Sequence, residues 1–344
     1  MPFLLYGANG YTAQLMLPLL SKYGLKPILA GRSEEKIVPL AKEWGFDYRV
    51  FDLENPGDVD KGLEGCGTVL HCAGPFSATA RPMMEACIRN KVHYLDITGE
   101  ISVFELAHSM NAQAVAAGIT LLPGSGFDVV PTDCLALRLK KLMPDATHLS
   151  LAFASVKGSL SHGTAITMAS GAGEGGMVRR DGKLTRVPLG HRGEVIDFGE
   201  IQQFCMAIPW GDVSTAFYTT GIPNIEVMTA VSPRAHAQLR WQWAFNWFLR
   251  LGFVRAYAKK QIAKRPAGPS PERRAKAFTM LWGEVKNAKG QSKALTQKTA
   301  DGYTLTAHTA LWLTAQLMNG AGKPGFHTPA ELFGDNIVEQ AYDI

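Results

Sequence analysis

Along the first part of the chain, short apolar runs of strand length alternate with longer stretches of helical period. Phe3 to Tyr6, Pro27 to Ala30, Tyr48 to Leu53, Gly67 to Ala73, His93 to Ile97 and Ile119 to Leu122 read as strands. Between and after them, Gln14 to Tyr23, Glu34 to Trp44, a segment opening at Asn55-Pro56, Arg81 to Asn90, Val103 to Ala117 and Thr132 to Leu142 read as helices, the second kinked at Pro39. Repeated βα units with no hairpin signal predict an α/β domain over residues 1–145, a doubly wound parallel sheet of Rossmann type. The period changes after Thr147. Leu149 to Val156, Lys183 to Val187, Glu194 to Asp197, Gln203 to Ile208, Ser214 to Thr219 and Glu226 to Ala230 are short runs separated by Gly and Pro turns. With a hairpin over Phe278 to Lys286 and Ser292 to Lys298 and a helix over Tyr303 to Met318, they predict a second, α+β domain over 146–344. Its sheet should be mostly antiparallel, with the C-terminal segment packing back on the first domain.

Candidate chemistry starts at the first strand–helix junction, Gly7-Ala8-Asn9-Gly10-Tyr11-Thr12-Ala13. A dinucleotide pyrophosphate can approach the free N–H groups of a helix N-terminus only where no Cβ intervenes, which gives Gly7, Gly10 and Ala13 a physical role. The second strand runs into Gly31-Arg32-Ser33, where an NAD site would place an acid for the ribose 2′-OH. Arg32 can pair with a 2′-phosphate instead, so the pattern favours NADP(H), with Ser33 either beside that phosphate or capping the next helix. Asp52 falls where an acid can contact adenosine, and Ala73, Gly74, Pro75 and Phe76 close the fourth strand on the ligand-collecting edge of such a sheet.

Charge is unevenly spread. The formal net charge is +5, yet Arg234 to Lys276 holds eleven Lys or Arg and a single acid, Glu272, leaving the rest of the chain acidic. A local excess of this kind does not predict a nucleic-acid partner. Inside it, Leu239, Trp243, Trp247, Leu251 and Val254 recur at helical spacing, Trp241, Phe245 and Phe248 cover another side, and Gln238, Gln242, Asn246 and Arg250 leave a narrow polar stripe. Such a helix must bury its surface in the protein, in a homodimer seam, or at a membrane surface with Lys259, Lys260, Lys264 and Arg265 near anionic lipid. The apolar run is broken by Arg250 and does not read as a transmembrane helix, although twenty-odd residues would reach ~33 Å. Five cysteines without a CxxC pair, and no basic and apolar leader before the first strand, predict a cytoplasmic protein, peripheral at the membrane if the aromatic segment meets lipid. The nine histidines are scattered and suggest no metal site.

The glycine turn, Leu-Ala-Gly-Arg-Ser at 29–33, Ala-Gly-Pro-Phe at 73–76, His-Tyr-Leu-Asp-Ile-Thr-Gly-Glu at 93–100 and Gly-Phe-Asp-Val-Val-Pro-Thr-Asp at 126–133 resemble the saccharopine dehydrogenase-like oxidoreductases. The chain is most similar to the branch that includes the trans-acting enoyl reductases, through Trp-Gly-Glu at 282–284 and Thr-Pro-Ala at 328–330. The resemblance implies a Rossmann domain with an NADP-binding turn at Gly7, Gly10 and Ala13, a phosphate-binding arginine at Arg32, and an α+β substrate domain. It does not fix the substrate; the apolar second half favours an NADPH-dependent reductase of a hydrophobic small-molecule or lipid-like, carrier-bound enoyl substrate. Saccharopine-type imine chemistry, for which Arg179, Arg180, Arg186 and Arg192 could bind a polycarboxylate, and a non-catalytic NADPH sensor are the alternatives. Reducing an activated C=C leaves an enolate that needs a donor, and His162, Tyr218, Asp128 and Glu100 are the candidates. The small-residue stretch Gly163 to Met177 reads as a helix fraying into a loop, suited to lining a substrate or to close packing.

Overall fold

A computed structural model describes residues 2–159, 161–264 and 266–342. Arg265 of the basic cluster lies outside the described residues. The chain forms two units, residues 1–134 with 303–344, and residues 135–302. The division by contacts falls inside the helix Val130–Leu142, and the C-terminal segment, expected to pack back on the first domain, groups with the first unit.

In the first unit the strands are β1 (Phe3–Tyr6), β2 (Pro27–Gly31), β3 (Asp47–Val50), β4 (Thr68–His71), β5 (His93–Asp96) and β6 (Thr120–Leu122). A two-residue strand, Gly325–Phe326, joins the edge beside β6, and the order runs from it through β6, β5, β4, β1 and β2 to β3. Every neighbouring pair is parallel. Both β1 and β4 are buried along their whole length, because helices cover both faces of a parallel sheet; hence their continuous apolar runs. Each buried Leu or Phe side chain there contributes about 1.5–3 kcal/mol. The chain moves outward from β1 to β3 and returns on the other side of β1 to form β4. That reversal opens a crevice at the carboxyl ends of β1 and β4.

Helix boundaries depart from the sequence pattern for local reasons. The first helix, Tyr11–Met16, tightens to 3₁₀ over Leu17–Tyr23, where Pro18 can supply no N–H to the α ladder. The helix Phe76–Asn90 starts five residues before the expected Arg81 and contains Pro82. Val103 to Ala117 is two helices, Ile101–Ser109 and Asn111–Ala117. The helix Gly302–Met318 is buried nearly all round, including Leu305, Leu311, Trp312 and Leu313.

The second unit holds β7 (Ala146–Val156), β8 (Gly176–Arg180), β9 (Lys183–Val187), β10 (Gly193–Asp197), β11 (Gln202–Ile208), β12 (Asn224–Ala230), β13 (Phe278–Asn287) and β14 (Ser292–Ala300). The order is β10-β11-β12-β7-β13-β14, with β8 joining β12 to β9. Its pairs are antiparallel except β12 with β7. Ser214 to Thr219, expected as a strand, is the core of a helix, Asp212–Thr220. Gly221 ends it at φ +69°, donating its N–H to Phe217 O, and burial of Asp212 to Ala216 and Thr220 outweighs the β propensity of its Thr, Phe and Tyr residues.

Candidate functional site

The glycine turn sits at the carboxyl end of β1. Gly7 adopts φ +81°, and its N–H donates to Ala30 O at 2.8 Å, which ties the turn to β2. A Cβ on Gly7 would lie 2.8 Å from Ala73 N and 2.9 Å from Cys72 C, so this glycine lets β1 and the end of β4 close on each other. Gly10 is different. Its φ of −71° is ordinary, its N–H closes the turn onto Gly7 O at 2.9 Å, and a Cβ there would have only Gly7 O within 3.4 Å. Gly10 begins the helix, and no side chain among the described residues caps it, so the leading N–H groups at Thr12 and Ala13 face the crevice with their dipole unanswered. Asn9 carries its amide beside Gly31, and Tyr11 packs edge-on against Tyr303, centroids 5.3 Å apart.

Arg32 and Ser33 follow β2, Arg32 exposed and Ser33 half-buried. The Ser33 hydroxyl makes no capping bond to the helix Glu34–Trp44, so that expected structural role is not what the residue does. Asp52, exposed after β3, accepts from Glu54 N at 2.8 Å in a local turn. Burial first, then the charge of Asp52, pushes the Tyr6 phenol up to about 12, with Arg32 opposing. Past β4, Thr79 Oγ1 donates to Ala73 O at 2.6 Å, and Phe76 packs edge-on against His71 at 5.5 Å. These residues share one edge of one sheet, an arrangement suited to a pyrophosphate at the uncapped helix and an anionic group at Arg32.

The carboxyl ends of β5 and β6 add acids to the same edge. Glu100 accepts from Phe76 N at 2.8 Å and Ser77 N at 2.9 Å, so it caps the helix Phe76–Asn90 and explains the early start of that helix. Its candidacy as a proton donor gives way to this structural task. Asp96 is fully buried, accepts from Tyr94 Oη, Thr98 N and Gly124 N, and has a pKa raised to about 6 because burial outweighs those bonds. Asp128 carries the larger displacement: burial first, then the neighbouring Glu100 charge, lifts it to about 7. Its carboxyl lies against Gly99, where a Cβ would come within 2.7 Å of Oδ2. The loop that presents it is held from the helix Gly302–Met318, whose Thr306 Oγ1 accepts from Phe127 N at 2.9 Å and whose Thr309 Oγ1 donates to Ser125 O at 2.8 Å.

His71 was not distinguishable in the sequence from any other residue of a buried strand. Its Nε2 lies 3.0 Å from Thr79 Oγ1, whose single proton goes to Ala73 O, so Nε2 is the protonated nitrogen. Burial lowers its pKa to about 3 and keeps it neutral.

His162 and Tyr218 stand in the second unit. His162 opens the helix His162–Ser170, its N–H donating to Ala267 O at 2.9 Å. Tyr218 flanks the buried Arg179, whose guanidinium sits 4.3 Å from the Phe217 ring centre and 5.8 Å from that of Tyr218. The small-residue stretch admits a close approach at Gly173, where a Cβ would meet Asn246 O at 2.7 Å. What comes close there is protein backbone.

A parallel sheet with this strand order and a glycine turn at its switch point is a dinucleotide-binding Rossmann domain. Residues 3–122, about a third of the chain, match the family model described as saccharopine dehydrogenase NADP binding domain. A saccharopine dehydrogenase-like oxidoreductase of Bos taurus is 29% identical over 150 residues, 37% of this chain and 34% of that protein. A trans-acting enoyl reductase of Mycobacterium leprae is 31% identical over 157 residues, 42% of this chain and 36% of that protein. The matches thus span about a third of the length of these relatives. The fold is shared with the apo saccharopine dehydrogenase (L-Glu forming) of Saccharomyces cerevisiae, at TM-score 0.66 and 12% identity over 98% of this chain and 96% of that one.

Proposed function

We propose that this protein is an NADPH-dependent oxidoreductase that saturates the C=C bond of a hydrophobic, carrier-bound enoyl thioester, with Asp128 supplying the proton. The observation that carries the acid assignment is the placing of the Asp128 carboxyl against Gly99 in the loop after β6, on the same sheet edge as the glycine turn, where burial and then the Glu100 charge raise its pKa to about 7. NADPH, when bound, supplies hydride to the β-carbon. The turn from Gly7 through Asn9, Gly10, Tyr11 and Thr12 to Ala13 would hold the pyrophosphate, and Arg32 with Ser33 the 2′-phosphate. Asp52 would lie toward adenosine and Ala73, Gly74, Pro75 and Phe76 along the cofactor. With a pKa of about 7, Asp128 is protonated in about half of the molecules at neutral pH, and release of that proton to the α-carbon balances the hydride and leaves the saturated thioester. Burial first, then the Glu100 charge, raises the affinity of Asp128 for that proton, while the Glu100 oxygens remain engaged by the helix N-terminus.

The enoyl substrate is supported by the likeness to the trans-acting enoyl reductase of Mycobacterium leprae and by the exposed aromatic side chains Trp243, Trp247 and Phe253 of the second unit. Saccharopine-type chemistry needs free cations for a polycarboxylate, and two of the four expected arginines are committed elsewhere. Arg179 is buried with its guanidinium on Val213 O and Gly182 O, and Arg192 pairs with Glu194 and Glu226. The test is NADPH consumption followed with long-chain enoyl thioesters and, separately, with an amino acid plus a 2-oxo acid. Turnover with the thioester alone supports the proposal, turnover with the second pair alone replaces it, and cofactor binding without turnover on either makes the protein a sensor.

A further inference from the structure

We propose that the aromatic face of residues 241–257 is a docking surface for an anionic lipid bilayer. The segment is not one long helix. It comprises Pro233–Gln238, a 3₁₀ turn over Leu239–Trp241, Gln242–Leu249 and, after a break at Arg250 and Leu251, Gly252–Ile262. The narrow polar stripe seen in the sequence is the side that holds the protein. Gln242 Nε2 donates to Leu189 O and Leu189 N donates to Gln242 Oε1, both at 2.9 Å. Arg250 Nε donates to Gly173 O at 2.9 Å, and Arg255 reaches Ala172 O and Glu174. The aromatic side is turned outward, with Trp243 74% exposed, Trp247 64% and Phe253 67%. Among the described residues, seven of the fourteen exposed large apolar side chains fall in this one segment, which makes a patch and not scatter.

An inside-out helix pair of this kind leaves its apolar face for something else, and the charge around it selects what. No Asp or Glu occurs between Glu226 and Glu272, while Arg234, Arg240, Arg250, Lys260 and Lys264 are exposed. A second copy of the chain docking by a two-fold axis would bring this cationic rim against itself. A bilayer bearing anionic headgroups satisfies both features, since Trp rings favour the headgroup zone and each Lys or Arg near the surface strengthens binding about 5-fold. No helix of the described residues is long and apolar enough to cross a membrane, so the segment would lie in the interface plane.

The full-length protein is sedimented with phosphatidylcholine vesicles with and without phosphatidylglycerol, at low and high salt, beside analytical ultracentrifugation of the protein alone. We expect co-sedimentation with phosphatidylglycerol vesicles only, weakening as salt screens the surface, and quenching of Trp fluorescence by bromine-labelled lipid. Trp243→Ser with Trp247→Ser should abolish sedimentation. Lys260→Gln with Lys264→Gln should weaken it about 25-fold. Both pairs are solvent-exposed, and unchanged NADPH affinity and circular dichroism verify their folding. Failure to bind anionic vesicles at low salt, lipid binding that ignores either variant pair, or a dimer that the tryptophan pair dissociates would each overturn the proposal. Should the tryptophan variant misfold, the quenching of the native protein and the lysine pair decide the matter.

Discussion

Arg32 and Asp128 are the two side chains on which the proposed chemistry turns, and they differ in how visible they were. Arg32 stands out in the sequence because an NAD site would put an acid at the end of its second strand, and the structure leaves it exposed beside a Ser33 that caps nothing. Arg32→Ala should weaken NADPH about 10- to 100-fold and spare NADH, as loss of a charge-assisted pair does. Calorimetry showing equal native affinity for both cofactors would refute this. Asp128 was one of four candidate donors, and nothing in the chain order reveals that it meets Gly99 or feels Glu100; only the folded loop brings them together. Its pKa is raised in the folded state, so the stabilisation from its proton is complete below the unfolded value of 3.8 and is lost as pH rises through about 7. Asp128→Asn should therefore melt with the native protein in acid and above it at pH 8. The same variant should lower turnover about 10²- to 10⁴-fold and remove the falling limb of the native pH profile near 7. A comparison between these two proteins is needed because His71, with its pKa lowered from 6.5 to about 3, costs stability as pH falls and tilts both curves alike.

At the scale of elements, the βα alternation and the fourth-strand loop were legible because parallel strands buried on both faces read as unbroken apolar runs. Helix starts were less so. The helix Phe76–Asn90 owes its first turn to Glu100, whose side chain arrives from the loop after β5, a contact between segments that local pattern cannot contain. The helix Asp212–Thr220 was misassigned because Ser-Thr-Ala-Phe-Tyr-Thr carries strand propensity that burial overrides. The glycine turn shows how two residues in one motif have separate duties. Gly7→Ala must hold a positive φ, a strain of about 1–2 kcal/mol. It also presses a methyl on the backbone of Ala73, so the protein should lose stability. Gly10→Ala has an ordinary φ, and its methyl would meet Gly7 O at 3.1 Å and Cys72 O at 3.8 Å, so it should fold with a smaller loss of stability and lose NADPH affinity instead. Thermal melts with NADPH titration separate the two; a destabilised Gly10→Ala with native affinity would contradict the assignment.

For the molecule as a whole, the chain returns at residues 303–344 to the first unit, where Gly325–Phe326, too short to register as a sequence pattern, pairs with β6. That return matters to function, because the helix Gly302–Met318 fixes the loop carrying Asp128 through Thr306 and Thr309. The aromatic segment was legible as apolar all round and illegible in orientation, since hydrogen bonds to Leu189 and Gly173 decide which side faces the protein. The central claim joins a hydride donor held by the first unit to a hydrophobic enoyl acceptor. Its most direct test is incubation of the protein with a long-chain enoyl thioester and NADPH deuterated at the transferable C4 position, followed by mass spectrometry of the thioester. We expect a saturated product carrying one deuterium at the β-carbon, formed far more slowly by Asp128→Asn. Recovery of the unsaturated thioester unchanged, from a protein that binds NADPH, would contradict the claim.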